Sequence, residues 1–331
     1  MDTRRGAALV DPSVADPVRV DDADDDGLGS EQAARYAREA RAPSTRRTYN
    51  GQWNGWVAYC AEHGQTPLPA KPQLLANYLA ELADRGRKPG GIDVALTAIS
   101  QAHLRAGYPS PRSHRFVREV RAGIRHVHKT RPEQKAPILI EDLDALLATC
   151  ADDAVGCRDA AILSLTWAGA FRASELCAVD LEDVTPVPNR GLRVAVRASK
   201  TDPEGKGEAK GIPRAQKPTH CPVRLLERWM ERRGQAPGPL FVGTRHGRLT
   251  PHRLSRRDIA RIVKRYCARA CMDPVAFSSH SLRAGFVTSA VLMDRPLPAI
   301  AAQTLHRSLA SLLVYVRRTD LFKGNAADGL L

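Results

Sequence analysis

In "AGAFRASEL" an arginine, Arg172, and a glutamate one turn later, Glu175, interrupt an apolar segment. "SKTDPEGKG" sets Lys200 beside Asp-Pro and Gly turn signals. "HSLRAGF" spaces His280 and Arg283 three apart, which puts them on one helix face. "HRSLASLLVYVRR" holds His306 and, nine residues on, Tyr315 in an apolar run. Two arginines and a histidine can clamp the non-bridging oxygens of a phosphodiester and stabilise the charge that grows in its transition state. A tyrosine can attack phosphorus and hold a covalent intermediate, and a lysine on a turn can protonate a leaving oxygen. Such a set needs no metal, because the protein supplies the cations. Taken singly, each residue also has a plainer reading. Arg172 can simply pair with Glu175, H-x-x-R arises by chance, and a lone tyrosine among apolar residues is more often core than nucleophile.

The totals bound what could position these residues. A chain of 331 residues with 43% hydrophobic content suggests two domains with real cores. No apolar run approaches the roughly 20 residues that span a bilayer, and no signal segment opens the chain. A soluble cytoplasmic protein without a membrane partner is therefore expected. The net charge is +14. Residues 1–30 contain eight Asp and three Arg, a net of −5, which leaves +19 on the remaining 301. The 40 Arg against 10 Lys fit a GC-rich genome, but codon bias does not create excess positive charge. A polyanion such as nucleic acid is the expected partner. The seven cysteines are scattered without a C-x-x-C pair, so they read as reduced thiols and no metal site is expected.

Residues 1–30 read as a disordered acidic arm. From 31 to 130 the period is helical. Tyr49, Trp53, Trp56 and Cys60 follow Ser44, a candidate N-cap; further stripes are Leu75, Tyr78, Leu79 and Leu82, then Ile92, Leu96, Ile99 and His103. A fourth helix carries Val117, Val120, Ile124 and Val127 on one face and Arg115, Arg118, Arg121 and Arg125 on the others. That basic face is either solvated or laid against a phosphate backbone. The prolines of "KTRPEQKAP" mark a linker at 131–137. The second domain, 138–331, opens with a helix over 138–150; 158–179 gives a helix, a turn and a helix starting near Arg172. "GLRVAVRA" alternates as a strand, 199–210 is a turn, and "GIPRA" is its partner strand. The rest is helical, with Pro-, Gly- and Arg-rich loops at 234–257. The expected fold class is mainly α: a helical domain plus an α-rich domain with a small antiparallel β-sheet.

Taken together and in this order, the four motifs resemble those of the tyrosine recombinases, or phage integrases, over most of residues 31–331. The resemblance implies a helical core-binding domain at 31–130 that, with the catalytic domain, clamps duplex DNA. It implies attack of Tyr315 on the scissile phosphate to form a 3′-phosphotyrosyl link, with release of a 5′-hydroxyl. It implies that Arg172, Arg283 and His306 hold the phosphate, that Lys200 is the general acid, that His280 is a proton acceptor or phosphate ligand, and that Glu175 supports its neighbours. No cofactor is implied, and strand exchange would run through a Holliday junction in a homotetramer on inverted-repeat sites, inside a bacterial cell at its nucleoid. The apolar tail residues Leu321, Phe322, Leu330 and Leu331 would dock on a neighbouring subunit. One departure stands out: the family usually has Gly before the last histidine, and here Leu305 is expected to alter the approach of His306. Rival readings are a type IB topoisomerase, which shares the chemistry but relaxes supercoils, and a non-catalytic DNA-binding regulator on the same fold.

Overall fold

The computed structural model describes residues 30–129, 134–197, 207–306, 308 and 312–313. The chain divides into two compact units, Met1–Glu133 and Gln134–Leu331. Unit 1 is built from α1 (Glu31–Glu39), α2 (Pro43–Glu62), α3 (Pro72–Asp84), α4 (Pro89–Arg105) and α5 (Arg115–His128). Proline opens α2, α3 and α4, where its fixed φ suits the first turn and its missing N–H is no loss. Ser44 is therefore not the cap of α2, because Ala42 takes that position ahead of Pro43. Trp53, Trp56, Leu75, Leu79, Ile92, Leu96 and Ile99 fill the core, joined by Val117 and Ile124 of α5. Val127 does not continue that stripe: it is 75% exposed, in the last turn of α5.

Unit 2 runs α6 (Ile140–Ala148), α7 (Ala154–Ala168), α8 (Ala173–Ala178), β1 (Val184–Val187), β2 (Gly191–Val196), β3 (Glu208–Pro213), α9 (Pro222–Arg233), β4 (Val242–Arg245), β5 (Arg248–Arg253), α10 (Arg256–Arg269), α11 (Ser279–Leu292) and α12 (Leu297–Thr304). The fold is mainly α, as the sequence predicts, but it has two small antiparallel sheets among the described residues. In the first, β2 lies between β1 and β3, with Val194 opposite both Val184 and Lys210. The second is the β4–β5 hairpin, in a stretch the sequence reading assigned to loops. Its turn residues His246 and Gly247 both have positive φ, 49° and 74°, which a primed hairpin turn demands. His-Gly is a weaker turn signal than Asn-Gly, and strands as polar as "RLTPHR" do not alternate, so the pattern was hidden.

Helix α7 is the axis of unit 2, with every residue from 156 to 166 buried. Its two buried charges are mutually satisfied: Arg158 Nε donates to Asp159 at 2.9 Å and Arg158 Nη1 to the Val242 carbonyl at 2.8 Å. Arg265 and the Tyr266 hydroxyl of α10 complete the carboxylate, the latter at 3.1 Å. The segment before α6 is stitched to α11 and the turn that precedes it, with Ala136 N donating to Ala276 O and Ile138 N to Ser281 O, both at 2.9 Å. Trp167 of α7 donates its indole N–H to Ile138 O at 2.9 Å. Gly285 of α11 permits this approach, since a Cβ there would overlap the Ile138 carbonyl. Gly285→Ala should therefore destabilise unit 2 by roughly 1–3 kcal/mol, the usual cost of overpacking, as read by urea denaturation.

Candidate active site

Three backbone devices converge at one place in unit 2. The first is the turn after α7. Gly169 and Ala170, the latter at φ 45°, reverse the chain into Phe171 and Arg172, and a Cβ on Gly169 would overlap the Phe171 ring. The reversal leaves the carbonyls of 169 and 170 as acceptors for side-chain cations. The second is the N-terminus of α8, capped by Glu175, whose Oε2 accepts from Arg172 N at 2.9 Å. The third is the end of α12, where Leu305 takes the left-handed conformation, φ 55° and ψ 45°, and folds His306 back on the helix.

Arg283, on α11 and 2% exposed, links the first and third devices. Its Nη1 donates to Ala170 O and its Nη2 to Thr304 O, each at 2.6 Å, and Nη2 also reaches His306 Nε2 at 3.2 Å. Arg172 pairs through Nη1 with the buried Glu175 carboxylate, and its side chain stays partly exposed. The pair with Glu175 that the plainer reading expects is present, and it fixes where Arg172 points. Leu305 does take a conformation that glycine favours, yet its side chain packs partly on the core and His306 still reaches Arg283. His280 opens α11 with an exposed edge. Desolvation of its ring, then the charges of Arg283 and Arg172, push its pKa below the ordinary value. Burial first, then Arg283, Arg172, Lys210 and His280, pushes His306 down from 6.5 to about 4, so it is neutral at pH 7. Lys200 and Tyr315 lie outside the described residues.

The sequence reading missed Lys210. It sits on β3 at an inward position like Ile212, 1% exposed, and its Nζ donates to Gly169 O at 2.8 Å, Gln303 O at 3.0 Å and Ala170 O at 3.3 Å. Glu175 Oε2 lies 3.6 Å away and the Phe171 ring 4.8 Å. The alternation of "EAKGIP" held the signal: a lysine in register with an isoleucine on the buried face of a strand must have partners. Desolvation lowers its pKa from 10.5 to about 8 against the pull of Glu175, with Arg283 and Arg172 adding to the fall. The site is thus a nest of cations held by backbone carbonyls and one buried carboxylate, which is an arrangement ready for a phosphate. Among the described residues, no group of three or more His, Cys, Asp or Glu side chains could hold a metal ion. Likewise, no described helix is long and apolar enough to cross a membrane.

On unit 1, the four arginines of α5 divide. Asp93 of α4 takes Arg121 at 2.5 Å and Arg125 beside it. Desolvation raises the Asp93 pKa, but the hydrogen bonds from these two arginines outweigh it and hold the carboxyl below its usual range. Arg115 lies over the Phe116 ring at 4.6 Å, and Arg118 is exposed.

Comparison with known proteins gives this helical chain, with its cluster of buried cations, a family. The sequence profile of the phage integrase family matches residues 138–321. An integrase/recombinase xerD homolog of Selenomonas ruminantium is 37% identical over 303 residues, covering 90% of this chain and 88% of its own. The recombinase cre of Escherichia phage P1 is 24% identical, covering 86% of each chain. The fold is shared with a crystal structure of the XerH site-specific recombinase bound to palindromic difH substrate, at a TM-score of 0.64 and 15% identity, covering 90% of this chain and 82% of that one. It is also shared with a lambda integrase dimer bound to a COC′ core site, at a TM-score of 0.60 and 16% identity, covering 85% and 91%. The chain belongs to the phage integrase family and is a site-specific recombinase of the tyrosine type.

The Lys210 contacts have a measurable consequence. Lys210→Met should cost roughly 1.5–3 kcal/mol at pH 7, the scale of hydrogen bonds to a charged group. The pH dependence has a definite sign. Between about 8 and 10.5 the unfolded chain holds the Lys210 proton and the folded chain does not, so stability rises with pH across that window. Urea denaturation at pH 7.5, 8.5 and 9.5 (about one pH unit apart, a spacing that resolves such a shift) should show wild type gaining on Lys210→Met as pH rises; a constant gap would contradict it.

Proposed function

We propose that this recombinase uses Tyr315 as its nucleophile and Arg172 and Arg283 as its phosphate clamp. Tyr315 attacks the scissile phosphate, a 3′-phosphotyrosyl bond forms, and the 5′-oxygen leaves with a proton from Lys200. Attack by the 5′-hydroxyl of a second strand reverses the step, and because the phosphotyrosyl bond conserves the energy of the phosphodiester, rejoining needs no ATP. His306 completes the phosphate site, His280 serves as a phosphate ligand or proton acceptor, and Glu175 positions Arg172. The observation that carries this reading is Arg283, which is buried and bonded to both the Arg172 turn and the His306 turn, so three of the motifs meet at one guanidinium. Leu312 adds support: it is buried against Val287, Ala290 and Ile300, and the three residues from there to Tyr315 span at most about 10 Å.

The substrate is duplex DNA. Residues 31–130 form the core-binding domain, with Arg115 and Arg118 of α5 facing phosphates and Arg121 and Arg125 holding that face through Asp93. The inverted repeats bind a homotetramer in which the tail around Leu321, Phe322, Leu330 and Leu331 docks on a neighbour, and exchange runs through a Holliday junction. Such an enzyme works at DNA in the bacterial cytoplasm. Incubation with a nicked duplex carrying its target site, followed by a denaturing gel, tests the chemistry. Wild type should give a covalent adduct and Tyr315→Phe none. Arg172→Ala should slow adduct formation about 10²–10³-fold, the cost of one donor to a developing oxyanion. An adduct with Tyr315→Phe, or none with wild type, refutes the assignment.

A further inference from the structure

Both strands that flank Lys200 are pinned close to the ends that lead to it. The last pair of the β2–β3 ladder joins Val196 to Glu208. On the β3 side the pin is Lys210, ten residues after Lys200, through its bonds to residues 169, 170 and 303. On the β2 side it is Arg197, the first residue past the ladder. Its Nε donates to Asp183 at 2.7 Å, its Nη1 to Asp180 at 2.8 Å and its Nη2 to Glu182 at 3.0 Å. All three guanidinium nitrogens are thus engaged, on three carboxylates of one short segment. Asp180 and Asp183 are buried, while the exposed Glu182 adds little by itself. Asp180 also accepts from Arg253 at the end of β5, whose Nη1 bonds Cys177 O at 3.0 Å. This segment lies just past α8, the helix whose first turn holds Arg172 and Glu175. A helix of six residues is only about 9 Å long, so the anchor of Arg197 and the first arginine of the phosphate site share one short, rigid element.

We propose that Arg197 is a positioning residue for the general acid: it fixes the root of the Lys200 segment to the end of α8, and so sets where the Lys200 ammonium meets the leaving oxygen. This rests on the role given to Lys200 in the recombinase reading above. Chain length makes Arg197 the governing anchor. The three residues from Arg197 to Lys200 span at most about 10 Å, whereas the ten from Lys200 to Lys210 span up to about 35 Å. A displaced Arg197 is therefore felt at Lys200 with little slack. In the step itself the Tyr315 oxygen bonds to phosphorus, the bond from phosphorus to the 5′-oxygen breaks, and that oxygen takes a proton from the Lys200 ammonium. Arg197 takes no part in these bonds and acts only through Lys200. Nor do the buried carboxylates depend on it alone. Asp180 retains Arg253, and Asp183 Oδ2 still accepts from Asp180 N at 2.9 Å.

A nicked duplex whose scissile 5′-oxygen is replaced by sulfur separates this role from a merely structural one. An alkoxide needs a proton as it leaves, whereas a thiolate, from a thiol that ionises near about pH 8.5 as cysteine does, departs without one. Covalent adduct formation by the full-length chain, at saturating concentration, is timed on the oxygen and the sulfur duplex. Lys200→Met should lose about 10²-fold or more on oxygen, the usual worth of a general acid, and little on sulfur. Arg197→Met should lose roughly tenfold to 10²-fold on oxygen, the cost of a displaced catalytic group, and cleave sulfur at the wild-type rate. Arg197→Lys keeps a cation beside Asp183 without the three-way fork, and should show a smaller loss with the same preference. An Arg197→Met rate equal to wild type on oxygen overturns the proposal. So does an equal loss on both duplexes in Arg197→Lys, a readout that stands even where Arg197→Met fails to fold. If Lys200→Met is itself slowed equally on both, the general-acid assignment falls and the role of Arg197 falls with it. Sulfur rescue of Lys200→Met but not of the Arg197 variants rejects the role of Arg197 alone.

Discussion

The buried carboxylate of Glu175 is what the site depends on. It accepts from the backbone of Arg172, pairs with the Arg172 guanidinium, and lies 3.6 Å from the ammonium of Lys210. Cations gathered in a dry interior repel one another, and without a counter-charge the lysine would lose its proton and the arginines would destabilise the fold. One carboxylate does not neutralise Arg172, Lys210 and Arg283, so the ensemble remains net positive. That residual charge is what a phosphodiester, and still more its transition state, can satisfy. Backbone carbonyls carry the remainder: those of residues 169, 170, 303 and 304 accept from Lys210 and Arg283 without adding formal charge.

This arrangement explains why residues far apart in sequence form one site. Arg172 follows the turn after α7, Lys210 is on β3, Arg283 is on α11, and His306 follows α12. Each element is anchored by its own apolar packing in the core of unit 2 or beside it. The polar links then set the relative positions of the chemical groups. Gln303 shows the principle on a small scale, since its side-chain amide donates to Ala168 O and Gly211 O, both at 2.9 Å, and ties the end of α12 to α7 and β3. Rotating any one of these elements would break hydrogen bonds on two others, so the cationic site is built before any DNA arrives.

Much of this was legible in the sequence, for identifiable reasons. Helical period revealed α2, α3, α4 and α7, and motif spacing marked Arg172, Glu175, His280, Arg283 and His306. What escaped was whatever depends on partners distant in the chain. Lys210 reads as one more basic residue near a turn until its register opposite Val194 shows that it faces inward. Arg197 reads as one more arginine at a strand end until Asp180, Glu182 and Asp183 are found around it. Asp93 converts Arg121 and Arg125 from part of a uniform basic face into a braced pair. The β4–β5 hairpin was missed because its turn and strands are polar and its register is irregular at Val242 and Thr244. In each case the sequence supplied the residue types and tertiary contact supplied their meaning.

The central claim is that the Glu175-centred cation site is preassembled and receives the scissile phosphate. Its most direct test is a structure of the chain covalently trapped through Tyr315 on a nicked duplex. The account predicts guanidinium nitrogens of Arg172 and Arg283 about 3 Å from the phosphate oxygens, within ordinary hydrogen-bond range. It also predicts that the Glu175–Arg172 pair and the Lys210 contacts to residues 169, 170 and 303 are retained. A phosphate bound away from both arginines, or a complex in which Arg172 has left Glu175 to reach it, would contradict the account.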